Sequence, residues 1–475
     1  MPQEIDVPLR DPEQFRSVLP PERFEEFQRA AEEARELLDG RIVWNVNSTA
    51  RGGGVVELLR PLVGYARGAG VDARWVVIDG SPGFFDVTKR IHNRLHGSLG
   101  DGGPLDEEAR RLYEDVLAAN LAELAPRVRE DDVVLLHDPQ PAGMAPALRS
   151  VAGALIWRCH VGIDAPNDLV REAWAFLLPY VRHADVAVFS REAFVWYGLE
   201  RSRVAIITPT IDVFTPKNED LAPETVLAVL RASALVAGGG SNGPVTFRRQ
   251  DGTPARVERE AHIVEDEPVE PETPLVVQVS RWDGLKDPIG VIRGFAEHVP
   301  ADTGAHLVYA GPSVEAVADD PEGMRILHDS ISARSLLPTE ARRRVHLATL
   351  PMDDLDENAV MVNALQQHAR VITQKSLAEG FGLTVAEAMW KARPVVASKV
   401  GGIQEQIVHG ESGILLDDPR DLEGFGNAIT ELLREPERAE EIGRNARDRV
   451  RDRFLSARSL LDYLAVIRRI LGRAG

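Results

Sequence analysis

The sequence predicts an α/β protein made of two doubly wound domains facing one another across a cleft. Three observations carry that expectation. At 475 residues the chain is too long for one ordinary domain and comfortable for two. Short continuous apolar runs alternate with longer helical patterns, as parallel strands buried on both faces require. These runs fall into two series, separated by a stretch where the regular spacing breaks down.

In chain order, residues 12–38 read as a charged amphipathic helix, with Phe15, Leu19, Phe24, Phe27, Ala31 and Leu37 favouring one face. It makes residues 1–38 a helical extension of a first domain that runs to 212. The apolar segment Ile42-Val43-Trp44-Asn45-Val46 leads into Gly52-Gly53-Gly54 and a helix to about Arg67. Further runs at 74–78, 132–137, 154–160, 185–189 and 204–208 complete the first series. The second series occupies 275–280, 306–310, 344–348, 370–373, 394–398 and 414–416, in a second domain spanning 274–455. Residues 213–273 are expected to form a linker with an insertion. They hold a helical piece from Pro223 to Leu235, the glycine-rich Gly238-Gly239-Gly240-Ser241-Asn242-Gly243, and the acidic stretch EDEPVEPETP. The amphipathic tail, with Leu460, Leu461, Leu464, Ile467 and Leu471, is expected to cross back onto the first domain over 456–475.

Composition narrows the function. The chain has 55 basic against 74 acidic residues, a net charge of −19, which repels nucleic acid and anionic membrane. A single cysteine, Cys159, allows no intrachain disulfide and no thiolate metal cluster, and no His/Asp/Glu set has metal-ligand spacing. The start, MPQEIDVPLR, lacks the layout of a signal peptide, and no apolar run approaches the ~18–20 residues that span a bilayer. A cytoplasmic location is expected, and a homodimer.

Ligands of doubly wound sheets bind beyond the carboxyl ends of the strands, and five such loops carry residues of interest. After 275–280, Arg281 and Lys286 are two cations suited to one anion, a fork of donors and a mobile point charge. A diphosphate leaving group needs such neutralisation; two surface cations on a polar turn would look the same. After 370–373, Gly380-Phe381-Gly382-Leu383 opens a helix whose amide end suits phosphate. Glu379 precedes that turn and Glu387 lies on the helix, and carboxylates accept hydrogen bonds from sugar hydroxyls. Thr384 and Glu387 also fit a capping box. In the first domain, Gly53 and Gly54 let a backbone approach a sugar or phosphate closely, or simply make a tight turn; neither a P-loop nor a dinucleotide fingerprint is present. Asp138 and His160 end two other strands, where an Asp can orient an acceptor hydroxyl and a His can bond a donor sugar, or serve structure only. Cys159 reads as a small buried apolar group.

The string EGFGLTVAEAMWKARPVVASKVGG resembles the signature of the retaining, two-domain nucleotide-sugar transferases that include glycogen and sucrose synthases. The likeness extends to Arg281, Lys286, His160 and the glycine loop. WNVNSTARGGGVVELL, VTKRIHNRLHG, LLHDPQP and QKSLAEGFGLTVAEAMW more closely resemble the branch of that family that joins a nucleotide-activated glucose to glucose, making trehalose. The resemblance covers about 40–212 and 274–472; segment 213–273 departs from it. It implies two Rossmann-like domains of the GT-B type. Arg281 and Lys286 would hold the diphosphate with the backbone of Gly380, Phe381, Gly382 and Leu383. Glu387 would bind ribose, Glu379 and His160 the donor glucose, and Asp138 the acceptor, with Gly53 and Gly54 approaching the phosphate or acceptor. It implies front-face attack, in which the departing phosphate oxygen takes the acceptor's proton. A nucleoside diphosphate glucose is the expected co-substrate, with magnesium accompanying the nucleotide and no permanent cofactor. Alternatives within the fold are a phosphorolytic trehalose enzyme and a sucrose synthase-like transferase; one of another class is a sugar-nucleotide sensor without turnover.

Overall fold

The computed structural model describes residues 2–50, 54–238, 243–314 and 321–472. The chain divides into two compact units, one made of Met1–Ile211 with Phe454–Gly475, the other of Asp212–Arg453.

The first unit is built on seven strands: β1 (Gln3–Ile5), β2 (Ile42–Asn47), β3 (Asp72–Val77), β4 (Val133–His137), β5 (Ala154–Cys159), β6 (Val186–Phe189) and β7 (Val204–Ile206). Their order is β1-β3-β2-β4-β5-β6-β7, parallel except for β1, which runs antiparallel along β3. Every residue of β2, β4, β5 and β6 is buried, because helices cover both faces. Alternate side chains feed two cores: Trp44, Val46, Val134 and Leu136 pack on one face, Val43, Val133 and Leu135 on the other. The tail helix Ser456–Leu471 closes the second of these with Tyr463, Val466, Ile467 and Ile470. Chain direction along the sheet reverses between β2 and β4, whose carboxyl ends hold Asn47 and His137.

The second unit holds a small antiparallel pair, β8 (Thr246–Arg248) and β9 (Pro254–Arg256), and a second seven-stranded sheet. The sheet comprises β10 (His262–Val264), β11 (Leu275–Val279), β12 (His306–Pro312), β13 (Val345–Leu350), β14 (Val371–Gln374), β15 (Val395–Ser398) and β16 (Ile414–Leu416). Its order is β10-β13-β12-β11-β14-β15-β16, with only β10 antiparallel. Omitting β10, this is the 3-2-1-4-5-6 order of a dinucleotide-binding sheet, with its switch point between β11 and β14. Arg281 follows β11, and Ser376 follows β14.

Two expectations need correction. The helix expected over 12–38 is broken: a 3-10 turn spans Pro12–Ser17 and the α-helix is Pro21–Leu37, because consecutive prolines at 20 and 21 hold the chain extended between them. Its apolar face survives, with Phe15, Phe24 and Phe27 buried. Segment 213–273, read as a linker, lies within the second unit. It supplies helix Pro223–Ala232, the β8–β9 pair and edge strand β10. Residues 239–242 of its glycine run lie outside the described residues. The antiparallel edge strands β1 and β10 were not anticipated.

Candidate functional site

In the second unit the loop after β11 is shaped by its own side chains. Asp283 Oδ1 accepts from the Leu285 amide at 2.8 Å, forming the turn Gly284–Lys286. Buried Gln278 donates to the Lys286 carbonyl at 3.0 Å and accepts from the Lys375 amide at 3.1 Å, locking this loop to the one after β14. Asp287 takes a left-handed conformation (φ 48°), caps helix Pro288–His298 and pairs with the fully buried Lys375.

Lys286 and Glu379 come together as an ion pair, their side chains 15% and 8% exposed. The same oxygen, Glu379 Oε1, accepts from Ser376 Oγ at 3.0 Å and Gln374 Nε2 at 3.3 Å. A lysine ammonium has three donors, so one bond to Glu379 leaves two for a ligand. Arg281 does not join them: its side chain is 70% exposed and paired with Asp283 at 3.0 Å. The expected convergence of Arg281 and Lys286 is therefore absent here, the two cations resting on different carboxylates.

The glycine loop leads into helix Leu383–Trp390, which Gly382 begins at φ 82°, a conformation a side chain would strain. Gln406 Nε2 bonds the Phe381 carbonyl at 2.6 Å, and the Gly402 amide bonds that of Gly380 at 2.9 Å. Gly401 packs so closely that a Cβ there would meet the Glu379 carbonyl at 1.8 Å. With its carbonyls so engaged, the loop presents the amide end of a helix, whose first N–H groups have no partner within it.

The capping box does not form. Thr384 Oγ1 donates instead to Gln374 Oε1 at 3.0 Å, and Glu387 turns into the interior at 2% exposure. Glu387 Oε1 pairs with Lys217 at 2.8 Å, while its buried Oε2 has no hydrogen-bond partner among the described residues. A buried carboxylate oxygen without a donor is costly unless a ligand supplies one. Nearby Lys391 bonds Asn218 Oδ1 at 3.1 Å and the Glu387 carbonyl at 3.2 Å. Burial pushes its ammonium down to about 7.

In the first unit, Asp138 follows β4 in a left-handed conformation (φ 69°). Its Oδ1 accepts from the His160 amide at 2.8 Å, and its carbonyl accepts from Trp157 Nε1 at 3.0 Å. A chain of bonds fixes the histidine tautomers. Asn45 Nδ2 reaches the Arg74 carbonyl at 3.5 Å, which leaves Asn45 Oδ1 to accept from His137 Nε2 at 3.2 Å. His137 Nδ1 is then an acceptor, and takes the N–H of His160 Nε2 at 3.3 Å. His160 Nδ1, buried and without a partner among the described residues, is left as a lone-pair acceptor, suited to a hydroxyl. Both rings stay neutral: burial, aided by the Arg158 charge, pushes His137 down to about 3 and His160 well below its usual range. Cys159 is buried, its Sγ donating to the Val161 carbonyl at 3.2 Å. Gly54 opens helix Gly54–Gly68; Gly53 lies outside the described residues. Among the described residues no group of three His, Cys, Asp or Glu could hold a metal ion, and no helix is long and apolar enough to cross a membrane.

Burial also raises Asp138 to about 7. Folded His137 stays neutral down to about 3, whereas the unfolded chain protonates it near the ordinary imidazole value, so acidification from pH 7 favours unfolding. Asp138 acts oppositely: the folded state keeps its proton up to about 7 and the unfolded chain releases it near the ordinary carboxylate value, so its contribution grows as pH falls. Asp138→Asn, which tolerates the left-handed backbone, removes the opposing group. Its melting temperature should fall more steeply from pH 7 to 5 than that of the unaltered protein, as read by calorimetry.

Among solved structures, the chain is similar to an α,α-trehalose-phosphate synthase (UDP-forming) from Burkholderia xenovorans in complex with glucose-6-phosphate. The TM-score is 0.64 at 16% identity, covering 91% of this chain and 100% of that one. The two α/β units have the GT-B glycosyltransferase fold. The family described as "Trehalose synthase, N-terminal domain" matches residues 45–196, which include Asp138 and His160, and "Glycosyl transferases group 1" matches 357–449, which include Glu379 and Glu387. The chain is 35% identical to a trehalose synthase of Rubrobacter xylanophilus over 465 residues, 96% of each chain. It is 34% identical to one of Pyrococcus horikoshii over 472 residues, 99% of each. It belongs to the trehalose synthase family of glycosyltransferases.

Sequence reasoning missed Gln374, Ser376 and Lys217. The first two are ordinary polar residues at a strand end, and Lys217 lies in the stretch read as a linker; nothing in the spacing marks any of them.

Proposed function

We propose that the chain is a retaining glucosyltransferase that joins glucose from a nucleoside diphosphate glucose to free glucose, forming trehalose, and that it also runs in reverse. The observation that carries the reading is Glu387: a deeply buried carboxylate on the second turn of the glycine-loop helix, with one oxygen held by Lys217 and the other without a donor among the described residues. Ribose hydroxyls supply neutral donors for that oxygen, whereas inorganic phosphate would bring negative charge against the carboxylate, which favours a nucleotide over a phosphorolytic reaction.

On this reading Lys286 and the amide end of helix Leu383–Trp390 hold the diphosphate, with Arg281 swinging from Asp283 to help. Glu379 accepts hydroxyls of the donor glucose and stabilises positive charge at its anomeric carbon. His160 accepts a hydroxyl of the same sugar through Nδ1, and Asp138 orients the acceptor. The bond from the anomeric carbon to the phosphate oxygen breaks as the bond to the acceptor oxygen forms on the same face. The acceptor's proton passes to the departing phosphate oxygen, so no protein base is required.

The test is a product assay with ADP-, UDP- and GDP-glucose and free glucose. A nonreducing disaccharide from at least one donor is expected. Release of free glucose alone, or product only from a phosphorylated acceptor, would refute the reading.

A further inference from the structure

Glu387 is held from outside its own helix. Lys217 lies six residues beyond Ile211, where the chain leaves the first unit, and its side chain is 23% exposed. Its neighbours fix its backbone to the nucleotide-side helix and the helix packed on it. Trp390 Nε1 donates to the Asn218 carbonyl at 3.0 Å, and Lys391 donates to Asn218 Oδ1 at 3.1 Å. Asn218 Nδ2 in turn bonds the Asp212 carbonyl at 2.9 Å. Arg447, stacked on the Trp390 ring, grips Asp220 with two bonds of 3.0 and 2.6 Å. The ammonium of Lys217 is thus delivered to Glu387 Oε1 by a tethered segment.

A glutamate carboxylate rotates about its last bond with two nearly equivalent orientations. Here Lys391 offers a second cation close to Glu387. Pairing Oε1 with Lys217 breaks the equivalence and keeps Oε2 for the ligand.

We propose that Lys217 is a positioning residue for nucleotide binding, clamping Glu387 Oε1 so that Oε2 accepts the ribose hydroxyls. This rests on the reading of Glu387 as the ribose acceptor. The opening stretch of the second unit thereby becomes part of the nucleotide site.

The test is titration calorimetry of the unaltered protein, K217M and K217R. The probes are UDP, ADP and GDP, each with its 2′,3′-dideoxy counterpart, and the tightest-binding base is followed. The unaltered protein should prefer the ribose form by about 10- to 100-fold, the worth of one or two hydrogen bonds to a charged group. K217M should reduce that preference to about threefold or less by weakening the ribose form alone, and K217R should restore most of it. Full discrimination in K217M, or equal loss of both probes, would overturn the clamp while leaving the ribose reading intact. Absence of discrimination in the unaltered protein would overturn both.

Discussion

Lys286→Ala is expected to lower kcat/KM by about a hundred- to a thousand-fold, the cost of removing one preorganised group from a developing negative charge. Two losses combine. The leaving diphosphate loses a cation, and Glu379, 8% exposed, is left with Ser376 and Gln374 as its donors among the described residues. A buried carboxylate without its counter-ion is destabilised where it stands, turns toward solvent, and then serves the donor sugar poorly. Arg281→Ala should cost less, about tenfold, because its guanidinium starts 70% exposed and solvent-screened on Asp283. Steady-state kinetics on both variants check this, with melting curves to confirm that each is folded. Equal, small effects would remove Lys286 from the reaction centre.

Much of the fold was legible because parallel strands buried on both faces read as unbroken apolar runs. Val133–His137 and Ala154–Cys159 announce themselves in this way. The edge strands Gln3–Ile5 and His262–Val264 did not, since three residues pairing on one side need no such pattern. The site shows the same division. Glu379, Glu387 and the glycine loop stood out through the family resemblance of the string that holds them, and the structure puts Glu379 on Lys286. The partners of Glu387 were hidden. Lys217 reaches it across 170 positions of sequence, a tertiary contact that no local pattern encodes. The capping-box spacing of Thr384 and Glu387 misled for a related reason: Gln374 from the adjoining strand end takes the threonine hydroxyl. Asn45 is another case, an ordinary polar residue inside a strand that sets the tautomers of His137 and then of His160.

A nucleotide site and a free-phosphate site are separated most directly by trehalose breakdown. The purified protein is given trehalose with UDP, ADP or GDP, or with inorganic phosphate, and glucose release is followed. The expected result is glucose formation only with a nucleoside diphosphate, matched mole for mole by a nucleoside diphosphate glucose. Glu387→Gln should raise the half-saturating nucleotide concentration by about tenfold or more, through loss of a charged acceptor. Breakdown driven by phosphate alone, with glucose 1-phosphate as the product and Glu387→Gln without effect, would contradict a nucleotide site.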